Sequence, residues 1–437
     1  MHQGTFSNRR FHLLDFFQAI KGVARSKALI SGALSSAFEW YDYALFGYFA
    51  AIIGQQFFPV TDPLTALLSS FAVFASGFAM RPLGALLFGY VGDRLGRKKA
   101  LVLSLVLMAI PTMSLGLLPN YETLGIGSSI GLLLIRLMQG LAVGGNYGGS
   151  FIFTIEHAEP QHKGLAGSLA MFGTLGGLLL GSGMATVTSS LFDPETLQSI
   201  GWRIPFLLGG CSAVIGYYIR HAIPESNQEN PHHEESSPIK IVLTQHLGTL
   251  FKTMGIILLD GVGVYLLFVF MSTFASVFLK LPSSVALWIN TASMTSLVIF
   301  IAFFGWLGDH VGQRKILKWV SSAFALLSLP LYFWLIEAPS IAALATLQGV
   351  FSIIVGAMYG ALPATVVGAF PKHVRYTACS IAFNVSVAVF GGTAPFIATS
   401  LIQYTGSLFV PAIMLTLVGI ISYCANLGLK ENYLSKG

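Results

Sequence analysis

Gly89-Tyr90-Val91-Gly92-Asp93-Arg94-Leu95-Gly96-Arg97-Lys98-Lys99 recurs as Gly305-Trp306-Leu307-Gly308-Asp309-His310-Val311-Gly312-Gln313-Arg314-Lys315. Each copy is a short charged turn between two long apolar runs. A turn of this kind occurring once in each half of an apolar chain implies two homologous halves, each placing it between its second and third membrane helices.

Composition agrees. Of the 437 residues, 54% are hydrophobic and only 10% are charged, against about 25% charged in an ordinary soluble protein. The segment 1–26 carries Arg9, Arg10, Lys21 and Arg25 and has no apolar core ending in a small-residue cleavage site, so it reads as a cytoplasmic leader and not as a signal peptide. Cys211, Cys379 and Cys424 lie inside apolar runs, where thiols behave as small hydrophobes, and their spacing suits neither zinc nor a disulfide framework. No metal and no cofactor is expected. The formal charge of +6 needs no nucleic acid to explain it. Apart from Arg81, Arg136, Arg203 and Lys280, the Lys and Arg residues fall in or beside the leader, the even-numbered connections and the tail, which is the positive-inside bias and puts both termini in the cytoplasm.

A span needs about 20 apolar residues to cross roughly 30 Å of hydrocarbon. Twelve such runs are expected near 27–54, 64–91, 100–118, 128–155, 164–191, 204–222, 248–278, 283–307, 316–336, 340–369, 376–403 and 407–429. The domain plan is a leader 1–26, a six-helix bundle 27–222, a cytoplasmic linker 223–247, a second six-helix bundle 248–429 and a tail 430–437. Further echoes keep the same order in both halves: Leu137-Met138-Gln139-Gly140 with Thr346-Leu347-Gln348-Gly349, and Pro160-Gln161-His162-Lys163 with Pro371-Lys372-His373-Val374-Arg375. Internal repeats of this sort are typical of secondary transporters.

Asp93 should end the second span, with Gly96 allowing a tight reversal and Arg97, Lys98 and Lys99 entering the third. A carboxylate there can pair with these cations or with the positive N-terminus of a neighbouring helix, forming a latch with Arg94 and Arg97. Asp309 and Arg314 occupy the second copy, whose charge set is thinner because His310 and Gln313 replace two positions. Glu156, at the cytoplasmic end of the fourth span, is expected in the same gate network.

Together with Arg136-Leu137-Met138-Gln139-Gly140-Leu141-Ala142-Val143-Gly144-Gly145, the repeated turn resembles the major facilitator superfamily. Glu39-Trp40-Tyr41-Asp42, Met80-Arg81-Pro82-Leu83-Gly84, Gly201-Trp202-Arg203-Ile204-Pro205-Phe206 and Phe370-Pro371-Lys372-His373-Val374-Arg375-Tyr376 resemble its metabolite:proton symporter family. That family includes proline/betaine, α-ketoglutarate, citrate and shikimate transporters. The resemblance covers residues 35–430 and implies an all-α membrane protein with twelve transmembrane helices in two pseudo-symmetric bundles. It further implies proton-driven uptake across a bacterial inner membrane by alternating access.

Ionisable residues inside spans are costly and are functional candidates. Glu39 and Asp42 are three apart and share a helix face; two close carboxylates repel, which suits one of them to taking and releasing a proton. With Asp260, in Leu258-Leu259-Asp260-Gly261-Val262-Gly263, they are the expected proton-coupling residues. The glycines around Asp260 permit local unwinding. Arg136 is expected to meet substrate or an acid, because guanidinium binds carboxylate through two parallel hydrogen bonds. Arg81, nearer the cytoplasm, is expected in structural pairing. Tyr147, Asn146, Tyr265 and Asn384 are further candidate substrate contacts. Asn146 departs from the family, whose members commonly carry Glu there, and an Asn cannot titrate.

No histidine falls at mid-membrane, so proton handling passes to carboxylates. No phosphate loop is present, which excludes ATP hydrolysis as the energy source, and no nucleophile, base and orienting group converge as in an enzyme. The expectation is a proton-coupled symporter of a small organic metabolite, either a zwitterion such as proline or betaine or a carboxylate such as α-ketoglutarate. Its partners are the bilayer, protons and that substrate, and it works as a monomer. The rivals are a proton-driven exporter of the same fold and a non-transporting sensor.

Overall fold

Charged turns and helix breakers divide the apolar chain into helices. The computed structural model describes residues 27–59, 62–95, 97–144, 149–156, 158–210, 238–429 and 433–434, and among these every regular element is helical. The leader 1–26, Asn146, Tyr147 and most of the linker lie outside the described residues, as do the side chains of Asp93, Arg94 and Arg97.

In the N-terminal half, α1 (Lys27–Tyr48) resumes after Phe49 as Ala50–Phe57. α2 comprises Pro63–Ala79 and Arg81–Leu95, joined through Met80. α3 is Arg97–Leu117, and α4 is Ile126–Gly144 with a further segment Gly149–Glu156. α5 is Lys163–Leu191, and α6 is described over Arg203–Gly209. The C-terminal half contains α7 (Leu247–Phe278), α8 (Ser283–Val311), α9 (Gln313–Glu337), α10 (Ile341–Gly368), α11 (Lys372–Thr405) and α12 (Val410–Gly428). α2, α4, α5 and α7–α12 are each long and apolar enough to cross a bilayer. α1 carries Lys27, Glu39 and Asp42, the apolar part of α3 is only Val102–Leu117, and α6 is described for seven residues.

Local chemistry explains the starts. Asp62 accepts hydrogen bonds from the Leu64 and Thr65 amides ahead of Pro63, and Asp193 caps Pro194–Thr196 in the same way. Both are Asp-Pro starts, in which proline fills a first-turn position whose N–H has no helical partner anyway. One difference from the sequence reading concerns Pro238–Gln245, assigned there to the linker. It is helical, because Pro238 starts a turn and Val242 is fully buried where the helix packs on α11.

Within the N-terminal half α1 packs on α5, and α4 packs on both α2 and α3; in the other half α8 packs on α10, and α9 on α12. The two halves meet along α5–α8, α2–α11 and α1–α7. The α2–α4 contact is set by glycine. A Cβ on Gly140 would lie 2.6 Å from the Gly77 carbonyl carbon, and one on Gly144 would lie 2.7 Å from the Ala85 amide nitrogen, so glycine at these positions lets the backbones approach this closely. That approach brings Arg81 and Arg136 toward the same region. Outward-facing apolar side chains such as Leu86 (69% exposed) and Leu326 (72% exposed) need lipid around them, and the protein is a multi-pass membrane protein.

The helix of α7 is irregular. Leu259–Phe270 forms a widened π-helical stretch, and Val387–Gly391 of α11, which packs against it, does the same. Local unwinding at Asp260-Gly261-Val262-Gly263 therefore takes the form of wider turns, a feature often found at functional sites.

Candidate functional site

Asp42 and Arg136 form a buried ion pair inside the N-terminal half. Arg136 Nη1 donates to Asp42 Oδ2 at 3.0 Å, with both side chains essentially inaccessible. The same nitrogen donates to Gln139 Oε1 at 2.8 Å, and Gln139 Nε2 donates to Thr112 Oγ1 at 3.0 Å. The guanidinium also lies 4.5 Å from the ring centres of both Tyr43 and Phe46, where desolvated cation–π contact is worth about 2 kcal/mol. A buried pair is weak evidence for stability but becomes strongly unfavourable when one partner loses its charge. Protonating Asp42 therefore has structural consequences for Arg136. Glu39 is buried one turn earlier on α1.

A second centre lies where the halves meet. The Arg81 guanidinium carbon is 4.1 Å from the ring centre of Phe78, 4.9 Å from Tyr43 and 5.1 Å from Trp40. Across the seam, Asp260 accepts a hydrogen bond from the Tyr359 hydroxyl. Tyr265 packs edge-on against Phe78 at 5.4 Å and against Phe74 at 6.1 Å. Asp260, Tyr265 and Tyr359 are all buried.

Below these centres, toward the repeated turns, charges join the halves. Asp309 at the end of α8 accepts from the amides of Gly164 at 2.6 Å and Leu165 at 2.9 Å, capping the start of α5 in the other half. Gln313 Nε2 supports Asp309 at 3.1 Å. A Cβ on Gly164 would meet the Gly305 carbonyl oxygen at 2.7 Å, so this approach also depends on glycine. Glu156 Oε1 accepts from Arg375 Nη1 at 2.7 Å, and Phe151 of α4 meets Phe383 of α11 edge-on at 5.0 Å. Arg314 binds within its own half, donating to the Asn426 carbonyl on α12 at 2.7 Å.

At the opposite end the closure is neutral. Asn290 Nδ2 of α8 donates to the Tyr48 hydroxyl and to Ser182 Oγ, each at 3.0 Å, while its Oδ1 accepts from Gln348 at 2.9 Å. Thr291 shares short hydroxyl contacts with Ser182 (2.7 Å) and Thr186 (2.8 Å). Trp288 Nε1 donates to Ser190 Oγ at 3.1 Å. Among the described residues both ends of the seam are thus bridged and the central charges are enclosed.

The sequence candidates therefore separate. Asp42 and Arg136 come together, Asp260 and Tyr265 lie at the seam near Arg81, and Asn384 is buried on α11 with Nδ2 bonded to the Ser380 carbonyl at 3.0 Å. Sequence reasoning missed the Asn290 network and gave Arg375 no role. The repeat offered one clue, since Gln348 is the counterpart of Gln139 and both make buried hydrogen bonds. It also missed what Arg203 does. Arg203 donates to the carbonyls of Gly116 (3.1 Å) and Leu118 (2.5 Å) at the end of α3, while the preceding Trp202 is buried against Phe57 and Phe206.

Comparison with known proteins adds independent findings. The family described as "Sugar (and other) transporter" matches residues 28–240. The glycine betaine/proline/ectoine/pipecolic acid transporter OusA of Dickeya dadantii (strain 3937) is 32% identical over 418 residues, covering 93% of this chain and 83% of that protein. The proline/betaine transporter of Escherichia coli (strain K12) has the same identity and coverage. Among solved structures, the D-xylose-proton symporter superposes with a TM-score of 0.71 at 18% identity, over 93% of this chain and 97% of that one.

Proposed function

The chain belongs to the metabolite:proton symporter family of the major facilitator superfamily, and on that premise we propose that it couples proton entry to uptake of a small organic metabolite by alternating access. The substrate is a zwitterion of the proline/betaine kind, as in the names of its relatives, or a carboxylate. The observation that carries this reading is the enclosed Asp42–Arg136 pair, an acid and a cation whose attachment to each other depends on one proton. Glu39 and Asp260 are the other proton-linked acids, and Tyr265 and Asn384 are substrate contacts, a role that extends to Asn146 and Tyr147 by their place in the sequence alone. Arg136 responds to the proton on Asp42.

In this reading the chain lies in a bacterial inner membrane with both termini and the Asp309 end cytoplasmic, and it works as a monomer. The bundles 27–222 and 248–429 rock about the central site, and the helix Pro238–Gln245 moves with the second of them, on which it packs. The test is uptake of labelled proline, glycine betaine and α-ketoglutarate into proteoliposomes under an imposed pH gradient, acid outside. Accumulation abolished by a protonophore supports symport. Accumulation indifferent to the gradient, or gradient-driven efflux alone, overturns it.

A further inference from the structure

Two adjacent residues of the tail touch both halves of the molecule. Tyr433 and Leu434 form a turn after α12. The Tyr433 amide donates to the Gly368 carbonyl at 2.7 Å, and the Leu434 carbonyl accepts from Lys163 Nζ at 3.0 Å. Gly368 is the last residue of α10 in the C-terminal half, and Lys163 is the first of α5 in the N-terminal half. The Leu434 side chain is partly buried against the apolar core. The next two residues of α5, Gly164 and Leu165, are those whose amides Asp309 holds, so the tail contacts bridge the seam beside that cap.

We propose that Tyr433 and Leu434 are an autoinhibitory strap: anchored on the end of α10, they hold the start of α5 through Lys163, and the Asp309 end opens only when the Lys163 link lets go. The proposal rests on the alternating-access reading above and adds to it a device that neither the ion pairs nor the helix cap of that end supplies.

Three physical points carry it. The two contacts are made by neighbouring residues, whose Cα atoms lie only about 3.8 Å apart, so the sole slack in the strap is the four-carbon stem of Lys163. α5 cannot move far from α10 while both contacts hold. The contacts are also unequal. Gly368, Ala369 and Phe370 are buried, and the last carbonyls of a helix have no partner within it, so the Tyr433 N–H satisfies a group that is costly to leave unpaired. The Lys163 ammonium is half-buried, and water can hydrate it and the Leu434 carbonyl once they part. The link across the seam is therefore the one that breaks, and the strap stays with the C-terminal half when the halves separate.

The test is the distance across the Asp309 end of the purified full-length chain, read by pulsed electron paramagnetic resonance between two spin labels. The labels go on Gln161→Cys, before α5, and His373→Cys, at the start of α11, both exposed positions, with Cys211, Cys379 and Cys424 replaced by serine. Removing residues 433–437 should raise the ratio of open to closed distances about 10-fold, the worth of one charge-assisted hydrogen bond. Lys163→Met should give a similar rise, and Lys163→Arg, which keeps a charged donor, should restore most of the closure. In the truncated chain Lys163→Met should add less than about twofold, because the two changes remove one and the same link. Tyr433→Pro, which deletes the anchoring N–H, should match the truncation and carries the test if the truncated chain does not fold by thermal melting.

A ratio unmoved by truncation and by Tyr433→Pro overturns the strap. So does a Lys163→Met effect that persists in full in the truncated chain, since Lys163 would then act without the tail. Gradient-driven accumulation in a chain whose ratio ignores these changes overturns the strap and leaves symport standing. The expected ratios in a chain that shows no gradient-driven accumulation overturn symport and leave the strap standing.

Discussion

The two ends of the seam between the halves are closed by different chemistry. At the Asp309 end a carboxylate caps the start of a helix in the opposite half, and Glu156 pairs with Arg375. At the Asn290 end the bridges are uncharged hydrogen bonds among Tyr48, Ser182, Asn290, Thr291 and Gln348. Charge-assisted bonds are roughly twice as strong as neutral ones, and their charged ends are well hydrated once separated, so such a closure is firm but responsive to salt. Neutral bonds between buried groups carry no net charge and leave costly unsatisfied partners when one is removed. The contrast teaches that one end is built to respond to ions and the other to geometry.

The largest effect should come from Asp309→Ala. It removes both acceptors for the Gly164 and Leu165 amides and the contact with Gln313, about 3 kcal/mol in favour of opening that end. Cys379, buried on α11 one turn beyond Arg375, is a native reporter once Cys211 and Cys424 are replaced by serine. Its alkylation rate should rise about 100-fold in the variant. Asp309→Asn keeps one acceptor and should give a smaller rise. A wild-type rate for Asp309→Ala would remove the cap from the closure.

Second comes Asn290→Ala, which deprives Tyr48, Ser182 and Gln348 of a partner and should favour opening of the far end by about 2 kcal/mol. A thiol introduced by Ala185→Cys, a buried position on α5, should then label faster by the same factor at low and high salt. A salt-dependent factor would break the contrast between the two ends.

Glu156→Gln should follow with about 1 kcal/mol, because Glu156 is one-third exposed at its side chain and Arg375 only 2%, and partial exposure screens the pair. The measured Cys379 labelling should rise modestly at low salt, and the rise should shrink as salt increases. Exchanging the charges, Glu156→Arg with Arg375→Glu, should recover much of the closure. Failure of the exchange would assign the role to geometry and not charge.

How much of this was legible in the sequence depends on distance along the chain. The helical plan followed from apolar runs and charged turns, because crossing a bilayer is a constraint each segment meets alone. Asp42, Arg136 and Asp260 stood out because a charge inside an apolar run is conspicuous. The Asn290 network did not, since Asn, Ser, Thr and Tyr are common in such helices and their pairing joins residues up to 242 apart in sequence. Arg203 and Trp202 were seen only as part of a motif, because their job is to satisfy α3 carbonyls and fill space, which no spacing rule announces. The division between Arg81 and Arg136 was also invisible: it depends on which arginine the α2–α4 packing turns toward Asp42.

The smallest effect, and the one that most sharpens the comparison, concerns pH. The far side has acids too, but Asp62 and Asp193 act within the N-terminal half, each capping a helix start. Hydrogen bonds from the Thr65 hydroxyl and the Leu64 and Thr65 amides hold Asp62 below the usual carboxylate range, and bonds from Thr196 do the same for Asp193. A carboxyl depressed in the folded state stabilises it above the unfolded value, about 3.9, and that contribution fades as pH falls through the folded value. Between pH 8 and 5 neither cap should change, so labelling of a thiol at position 185 in the Asn290→Ala background should be flat over that range. Asp62→Ala should melt earlier than wild type at pH 7, and the difference should narrow below about pH 4. A difference that persists undiminished at low pH would mean that Asp62 acts through packing or a protonated hydrogen bond, and the charged-near, neutral-far division would then extend to the helix caps as well as the seam.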